Sequence, residues 1–195
     1  MVSVLGLLIF ILIIVTINIL YYKIQYWDMT YVKSDIDNKH YLVRDENDKQ
    51  QACNMLSKIN ENIFKLTEYV YKNKNKYSNM MPYIHQLNSR IKDVVIQENS
   101  STSQYTSYSV NKGEKIVFCL RSKNNKKIHD FNLLMYIVIH EISHVACPEE
   151  GHTPLFNKIF AFLCQIAIDI KIYKKINFFS DSKEYCGMEI TDSII

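Results

Sequence analysis

Phe131-Asn-Leu-Leu-Met-Tyr-Ile-Val-Ile-His140-Glu141-Ile-Ser-His144-Val-Ala-Cys147 is the longest apolar stretch outside the N-terminal segment, and its second half carries two histidines and a glutamate. Asp130, just before it, is a good helix N-cap. The nearly continuous apolar run predicts a helix buried on most sides. Such a helix carries His, Glu and His only if something offsets the cost of desolvating them. A zinc ion would do so. Spaced four apart, His140 and His144 share one helix face and can present two imidazoles to one ion. Glu141, beside the first, can reach a metal-bound water, act on it as general base and pass the proton to a leaving group. This is the H-E-x-x-H pattern.

A catalytic zinc needs a third protein ligand and an open position. Downstream lies Pro148-Glu-Glu-Gly151-His152-Thr153-Pro154. Pro148 and Gly151 end the helix and turn the chain, and Thr153-Pro154 is a cap followed by proline at the first helical position. His152 therefore stands at the mouth of the next helix, on a tight loop, and is the expected third ligand. Cys147, Glu149, Glu150 and Asp169 are the alternatives, Cys147 because it lies three residues beyond His144. The helix predicted from Pro154 to about Ile172 packs behind the first and holds its ligands still.

Upstream, Tyr108 to Arg121 reads as two β-prone runs around the turn signal Asn111-Lys112-Gly113, hence a hairpin. Apolar positions Met55, Ile59, Ile63, Leu66 and Val70 recur at helical spacing between Gln51 and about Tyr71. A second helix is expected from Pro82 to Gln97, with a solvated loop over 72–80 between the two. Residues 28–50 are polar apart from Tyr41-Leu42-Val43 and read as a tether leading into an edge strand or surface-hugging segment. The tail from Asn177 onward gives no pattern.

Val2 to Tyr22 contains no charged residue. A helix of about 20 residues spans the hydrocarbon core of a bilayer, and Tyr21, Tyr22, Lys23, Tyr26 and Trp27 suit its interface. A cleaved signal peptide would need a basic start, a shorter apolar run and a small-residue cleavage site. The division expected is a transmembrane anchor over 1–22, a tether over 23–50 and a globular domain over 51–195. Lys23, Lys33, Lys39 and Arg44 follow the span, so the positive-inside rule places the domain on the cytosolic side. The five scattered cysteines form no C-x-x-C pair, and most read as buried thiols of a reducing compartment, which agrees. The triplet Asn99-Ser100-Ser101, a glycosylation sequon, stands against this, but such triplets arise by chance in an Asn-rich chain. A net charge of +3, with arginine only at Arg44, Arg90 and Arg121, argues against a dedicated nucleic-acid surface.

The string His140-Glu-Ile-Ser-His144, a short loop, Gly-His152 and Phe156 resembles the WLM and SprT-like zinc metallopeptidases. Tyr31-Val-Lys-Ser, Tyr41-Leu-Val-Arg44, Tyr105 through Arg121 and Tyr185-Cys-Gly-Met-Glu-Ile-Thr-Asp192 resemble WLM-domain proteins of large DNA viruses. The resemblance implies a mainly helical α+β, minimal zincin-like domain with a small sheet. It also implies Zn2+ on His140, His144 and His152, with Glu141 as the catalytic base. SprT-like repair proteases usually carry DNA- or ubiquitin-binding appendages. Here an anchor stands in their place, so the repair function does not carry over. The expected partners are a peptide or protein substrate and a membrane, of the virion or the host cell. Tyr105 or Tyr108 is a candidate to stabilise an oxyanion. A reading from another class keeps the fold and drops the catalysis: a membrane-anchored interaction protein stapled by zinc, for which Glu141 would have no use.

Overall fold

The computed structural model describes residues 3–195; the first two residues of the expected anchor, and the side chains of Tyr22, Lys23 and Gln25, lie outside what is described. Helix α1, Val4–Gln25, is exposed from Val4 to Tyr21 and is long and apolar enough to cross a membrane, a test that a signal sequence near an N-terminus also passes. Two polar side chains within the apolar run bond back to the helix itself. The Thr16 hydroxyl donates to the Leu12 carbonyl and the Asn18 amide to that of Ile14, both at 2.7 Å, as a helix in hydrocarbon requires.

Strands β1 (Met29–Lys33) and β2 (His40–Arg44) form an antiparallel hairpin. Tyr41, Leu42 and Val43 are buried, so the expected edge segment is one arm of a hairpin packed on the core. Helix α2, Lys49–Lys72, buries Leu56, Ile59, Ile63, Leu66 and Val70 on one face. The expected loop over 72–80 instead holds two short 3-10 turns within Lys74–Met80, kinked at Tyr77, whose ring lies edge-on to Phe162 at 5.1 Å.

Helix α3, Met81–Arg90, stops seven residues short of the Gln97 expected for it, because Val95–Glu98 forms strand β3. β3 pairs in parallel with β5 (Lys115–Phe118), and β5 pairs antiparallel with β4 (Tyr108–Val110) in the order β3-β5-β4. The hairpin expected around Asn111-Lys112-Gly113 is thus present, and β4 is an edge strand. Gly113 sits at φ +112°, and a Cβ there would lie 2.8 Å from a Val145 methyl.

Helices α4 (Phe131–Ala146) and α5 (Pro154–Asp169) begin as their sequences predict. The Asp130 carboxylate accepts from the N–H groups of Asn132 and Leu133 at 2.9 and 3.2 Å, and Thr153 Oγ1 from that of Phe156 at 3.2 Å. α4 packs against α2, α3 and α5. A charged cluster is buried beside the sheet: Glu98 meets Arg121, accepts from the Arg44 backbone N–H at 2.8 Å, and is fully buried. Arg121 also donates to Asp48 at 2.6 Å, and the Arg44 guanidinium to Asn99 at 2.8 and 2.9 Å. The chain is α+β, about half helical, with small sheets.

Three of the five cysteines are the buried thiols expected, and two are not. Cys119 and Cys186, 67 residues apart, form a disulfide with a Cα–Cα distance of 6.1 Å, while Cys53, Cys147 and Cys164 are buried thiols. A pair so distant is joined only by the tertiary fold. Disulfides persist in oxidising surroundings, so the cysteines do not support cytosolic placement. Asn99 is 1 % exposed, and its amide donates to the carbonyls of Tyr105 and Thr106. The sequon is therefore closed to a glycan in the folded chain and does not speak for the opposite side.

Candidate metal centre

His140 and His144 project from the last two turns of α4, and His152 comes back from the loop that leads into α5. The three Nε2 atoms lie 3.2 Å (His140 to His144), 3.2 Å (His144 to His152) and 3.1 Å (His140 to His152) apart. Four-coordinate zinc with Zn–N bonds of about 2.0–2.1 Å spaces its ligand atoms by roughly 3.3–3.4 Å. The three histidines therefore fit a tetrahedral ion that keeps one position open. They are the candidate metal-binding group among the described residues. The alternatives are engaged elsewhere or remote. Cys147 is buried, Glu149 accepts from the Thr153 hydroxyl at 2.5 Å, Glu150 pairs with Lys112 at 3.0 Å, and Asp169 accepts from Gln165.

Phe156 is the floor of the cluster. Its ring is 1 % exposed, stacks on His144 at 4.2 Å and 25°, and lies 5.0 and 4.9 Å from His140 and His152. Phe160 abuts His140 edge-on at 5.1 Å. An aromatic floor fixes ring orientation through packing, since it offers the outward ring nitrogens no partner.

Two clasps hold the ligand loop. Lys112, in the β4–β5 turn, donates to the carbonyls of Cys147 (3.2 Å) and Glu149 (2.6 Å) besides pairing with Glu150. Gln86 and Arg90 of α3 donate to the Val145 carbonyl at 3.0 and 3.2 Å, satisfying the end of α4. Sequence reading missed Lys112 in this role, although it lies in the turn signal that fixed the hairpin.

Burial drives the His140 imidazole down to about 3, with His144 and His152 adding to the effect. Burial likewise takes His144 down to about 4, helped by His152 and Lys112 and opposed by Glu150. Both rings are thus neutral near pH 7, as metal ligation requires. Glu141 is 5 % exposed, and burial alone pushes its carboxyl up to about 8. No hydrogen bond or ion pair occupies it among the described residues. A dication on the neighbouring imidazoles would favour its carboxylate form.

The cluster opens into a cleft of about 670 Å³, lined by Tyr108 and Ser109 of β4, by Ile137 and Glu141 of α4, and by Tyr185, Met188 and Ile190 of the C-terminal tail. Tyr108 thus faces the cleft, whereas Tyr105 is 68 % exposed and stands outside it, with its ring 5.5 Å from that of Tyr108. The tail, silent in sequence, supplies part of the wall.

No family model matches the chain. It is 47 % identical over 168 residues to the uncharacterized protein R325 of Acanthamoeba polyphaga mimivirus, covering 86 % of this chain and 85 % of that protein. It is 35 % identical over 82 residues to the uncharacterized protein 136R of invertebrate iridescent virus 6, covering 41 % of this chain and 44 % of that one. With the uncharacterized protein 042R of invertebrate iridescent virus 3 it shares 39 % identity over 83 residues, 42 % of this chain and 50 % of that one. Among solved structures, Wss1 from Saccharomyces cerevisiae matches with a TM-score of 0.37 and 20 % identity over 51 % of this chain and 83 % of that one, a likeness too slight to build on.

Proposed function

The chain belongs to the family of the mimivirus protein R325, and on that premise we propose that it is a zinc-dependent metallopeptidase of the WLM and SprT-like kind, held at a membrane by its N-terminal helix. The observation that carries the reading is the meeting of three imidazoles, those of His140 and His144 held neutral by burial, beside a buried carboxyl in an open cleft. In this reading residues 1–22 are the anchor, 23–50 the tether, its β1–β2 hairpin lying on the core, and 51–195 the zincin-like domain.

His140, His144 and His152 would hold the ion. When bound, zinc supplies Lewis acidity toward a carbonyl oxygen and lowers the pKa of water. The chain's own residues do the rest. Glu141 takes a proton from the attacking water and returns it to the departing amine, the work of a general base and then a general acid. Burial keeps its carboxyl dry, so its proton affinity answers to the charge beside it rather than to solvent. The edge strand β4 presents unpaired backbone groups along the cleft, where an extended peptide adds by main-chain hydrogen bonds. Phe156 and Lys112 hold the imidazoles and their loop before substrate arrives.

The test is metal analysis and peptide hydrolysis by the full chain in detergent, wild type beside His152→Ala and Glu141→Gln. One zinc per chain is expected in the wild type and in Glu141→Gln, with weakened binding in His152→Ala. Glu141→Gln should lose turnover by about 10²–10⁴-fold. Absence of zinc from the folded wild type refutes the reading. Unchanged turnover in Glu141→Gln refutes the role given to the carboxylate.

A further inference from the structure

The last 19 residues take no part in the mechanism above, yet they close one side of its cleft. Strands β6 (Lys183–Tyr185) and β7 (Met188–Ile190) form a hairpin whose turn holds Cys186 and Gly187. Three residues from it, Tyr185, Met188 and Ile190, line the cleft beside Ile137 and Tyr136 of α4. Met188 is 53 % exposed, so a large apolar side chain stands open to water beside the three-histidine cluster. Isolated exposed apolar groups are ordinary. One that continues the buried apolar surface of Tyr136 and Ile137 inside a cleft is a receptive surface.

The hairpin is fastened to the catalytic half of the molecule at several points. The Cys119–Cys186 bridge joins its turn to the residue that follows β5. Tyr185 meets Ser107 through a 2.5 Å hydroxyl–hydroxyl hydrogen bond, and Ser107 Oγ accepts from the Cys119 N–H at 3.1 Å. The Cys186 N–H donates to His129 Nε2 at 3.3 Å, and the Ile194 N–H to the Tyr136 hydroxyl at 3.2 Å. The bridge and the Tyr185 hydroxyl meet Cys119 and Ser107, at the end of β5 and the start of β4, while the other two contacts reach His129 and α4. The hairpin's own ladder has only three residue pairs, and a two-stranded ribbon of that size does not hold its shape in water unaided.

Resting on the peptidase reading, we propose that the C-terminal hairpin is the wall that selects the substrate. Met188 and Ile190 receive an apolar side chain of the peptide, and the Cys119–Cys186 bridge holds that wall in register with β4. The occupant is an extended peptide with a bulky apolar residue. The edge strand β4 and the apolar wall line the same cleft, so a strand lying on β4 brings its side chains to Met188 and Ile190. An acidic side chain there would be desolvated against methionine and isoleucine, while Lys112, which also lines the cleft, is already engaged by Glu150 and two carbonyls, so the acid is rejected.

The test uses the full-length, zinc-loaded Glu141→Gln chain in detergent, which binds peptides without cleaving them. A panel of blocked, fluorescein-labelled, alanine-rich octapeptides carries a single Leu or a single Asp at each position in turn, and affinity is read by anisotropy. At one position Leu is expected to bind roughly tenfold or more tighter than Asp, as one well-placed apolar contact gives. Met188→Asp should erase that preference while zinc stays at one per chain. A phosphine reductant, which opens the S–S bond to two thiols as the phosphine takes up the oxygen of water, should also erase it. So should the double variant Cys119→Ser with Cys186→Ser. In both cases amide exchange over 183–190 should rise and zinc content hold. A zinc-loaded chain that binds all the peptides alike, or keeps its preference in Met188→Asp, overturns the selecting role. A preference that survives both loss of the bridge and faster exchange overturns the bridge's part in it. No zinc in the oxidised chain overturns the peptidase reading and the wall with it.

Discussion

Replacing Phe156 with alanine separates a metal site built by the fold from three histidines that merely lie close together. The Phe156 ring is 1 % exposed and touches all three imidazoles, the nearest at 4.2 Å. Removing a buried phenylalanine costs about 3–5 kcal/mol. In a chain of this size each kcal/mol lowers the melting temperature by about 2–4 °C, so the variant should melt about 6–20 °C lower. Any core truncation would do as much. The distinguishing effect is on the metal. Without the floor the imidazoles regain rotamer freedom, and loss of such supporting groups weakens metal binding by about 10–100-fold. The assay is zinc competition against a chromophoric chelator, run beside a thermal melt of the full chain. Phe178→Ala is the control, because Phe178 is fully buried against Tyr136, 4.8 Å between rings, with no ring contact to the three histidines. It should fall in stability and keep its zinc affinity. If Phe156→Ala also keeps its zinc affinity within twofold, Phe156 is ordinary core, and preorganisation of the site by packing is refuted.

Lys112→Met should leave the β4–β5 hairpin in place but free the loop that carries His152, lowering zinc affinity by about tenfold in the same competition assay. Glu98→Gln leaves the buried Arg44 guanidinium without its counter-charge and Arg121 with only the more exposed Asp48 and Glu46, and should cost about 3–5 kcal/mol in urea unfolding; a loss under 1 kcal/mol would show that the cluster is satisfied without it. Burial holds the His129 imidazole below its ordinary 6.5, against the pull of Glu184. The unfolded chain therefore takes up that proton first, so His129's contribution is complete above about pH 6.5 and declines as pH falls below it. Denaturant unfolding at pH 7.5 and pH 5.5 should show a smaller loss in His129→Gln than in the wild type, and equal losses would refute the assignment.

Where local chemistry alone decides, the sequence was readable. Asp130 and Thr153 begin helices because each side chain caps its own backbone within three residues. Asn111-Lys112-Gly113 turns the chain because its three residues take positive φ. His152 was expected at the metal from its loop alone, and the fold brings it within 3.2 Å of both partners. Partnerships made across the fold could not be read. Val94 and Val95 continue the helical period of α3, and only the parallel pairing of β3 with β5 turns Val95–Glu98 into a strand. Glu98 is buried because Arg44 and Arg121, 54 and 23 residues away, enclose it. The tail has no periodicity because its place is set by one covalent bond and by contacts to Ser107, His129 and Tyr136.

That bond has a topological effect as well. His140, Glu141, His144, His152 and Phe156 all fall between Cys119 and Cys186, so the whole candidate metal site sits inside a covalently closed ring with a 67-residue span. Closing a ring of that length removes enough freedom from the unfolded chain to favour the folded one by about 4 kcal/mol. A protease that cuts once in the exposed turn at residues 123–127 opens the ring without splitting the molecule. The two pieces remain one particle, separating only when a reductant is added.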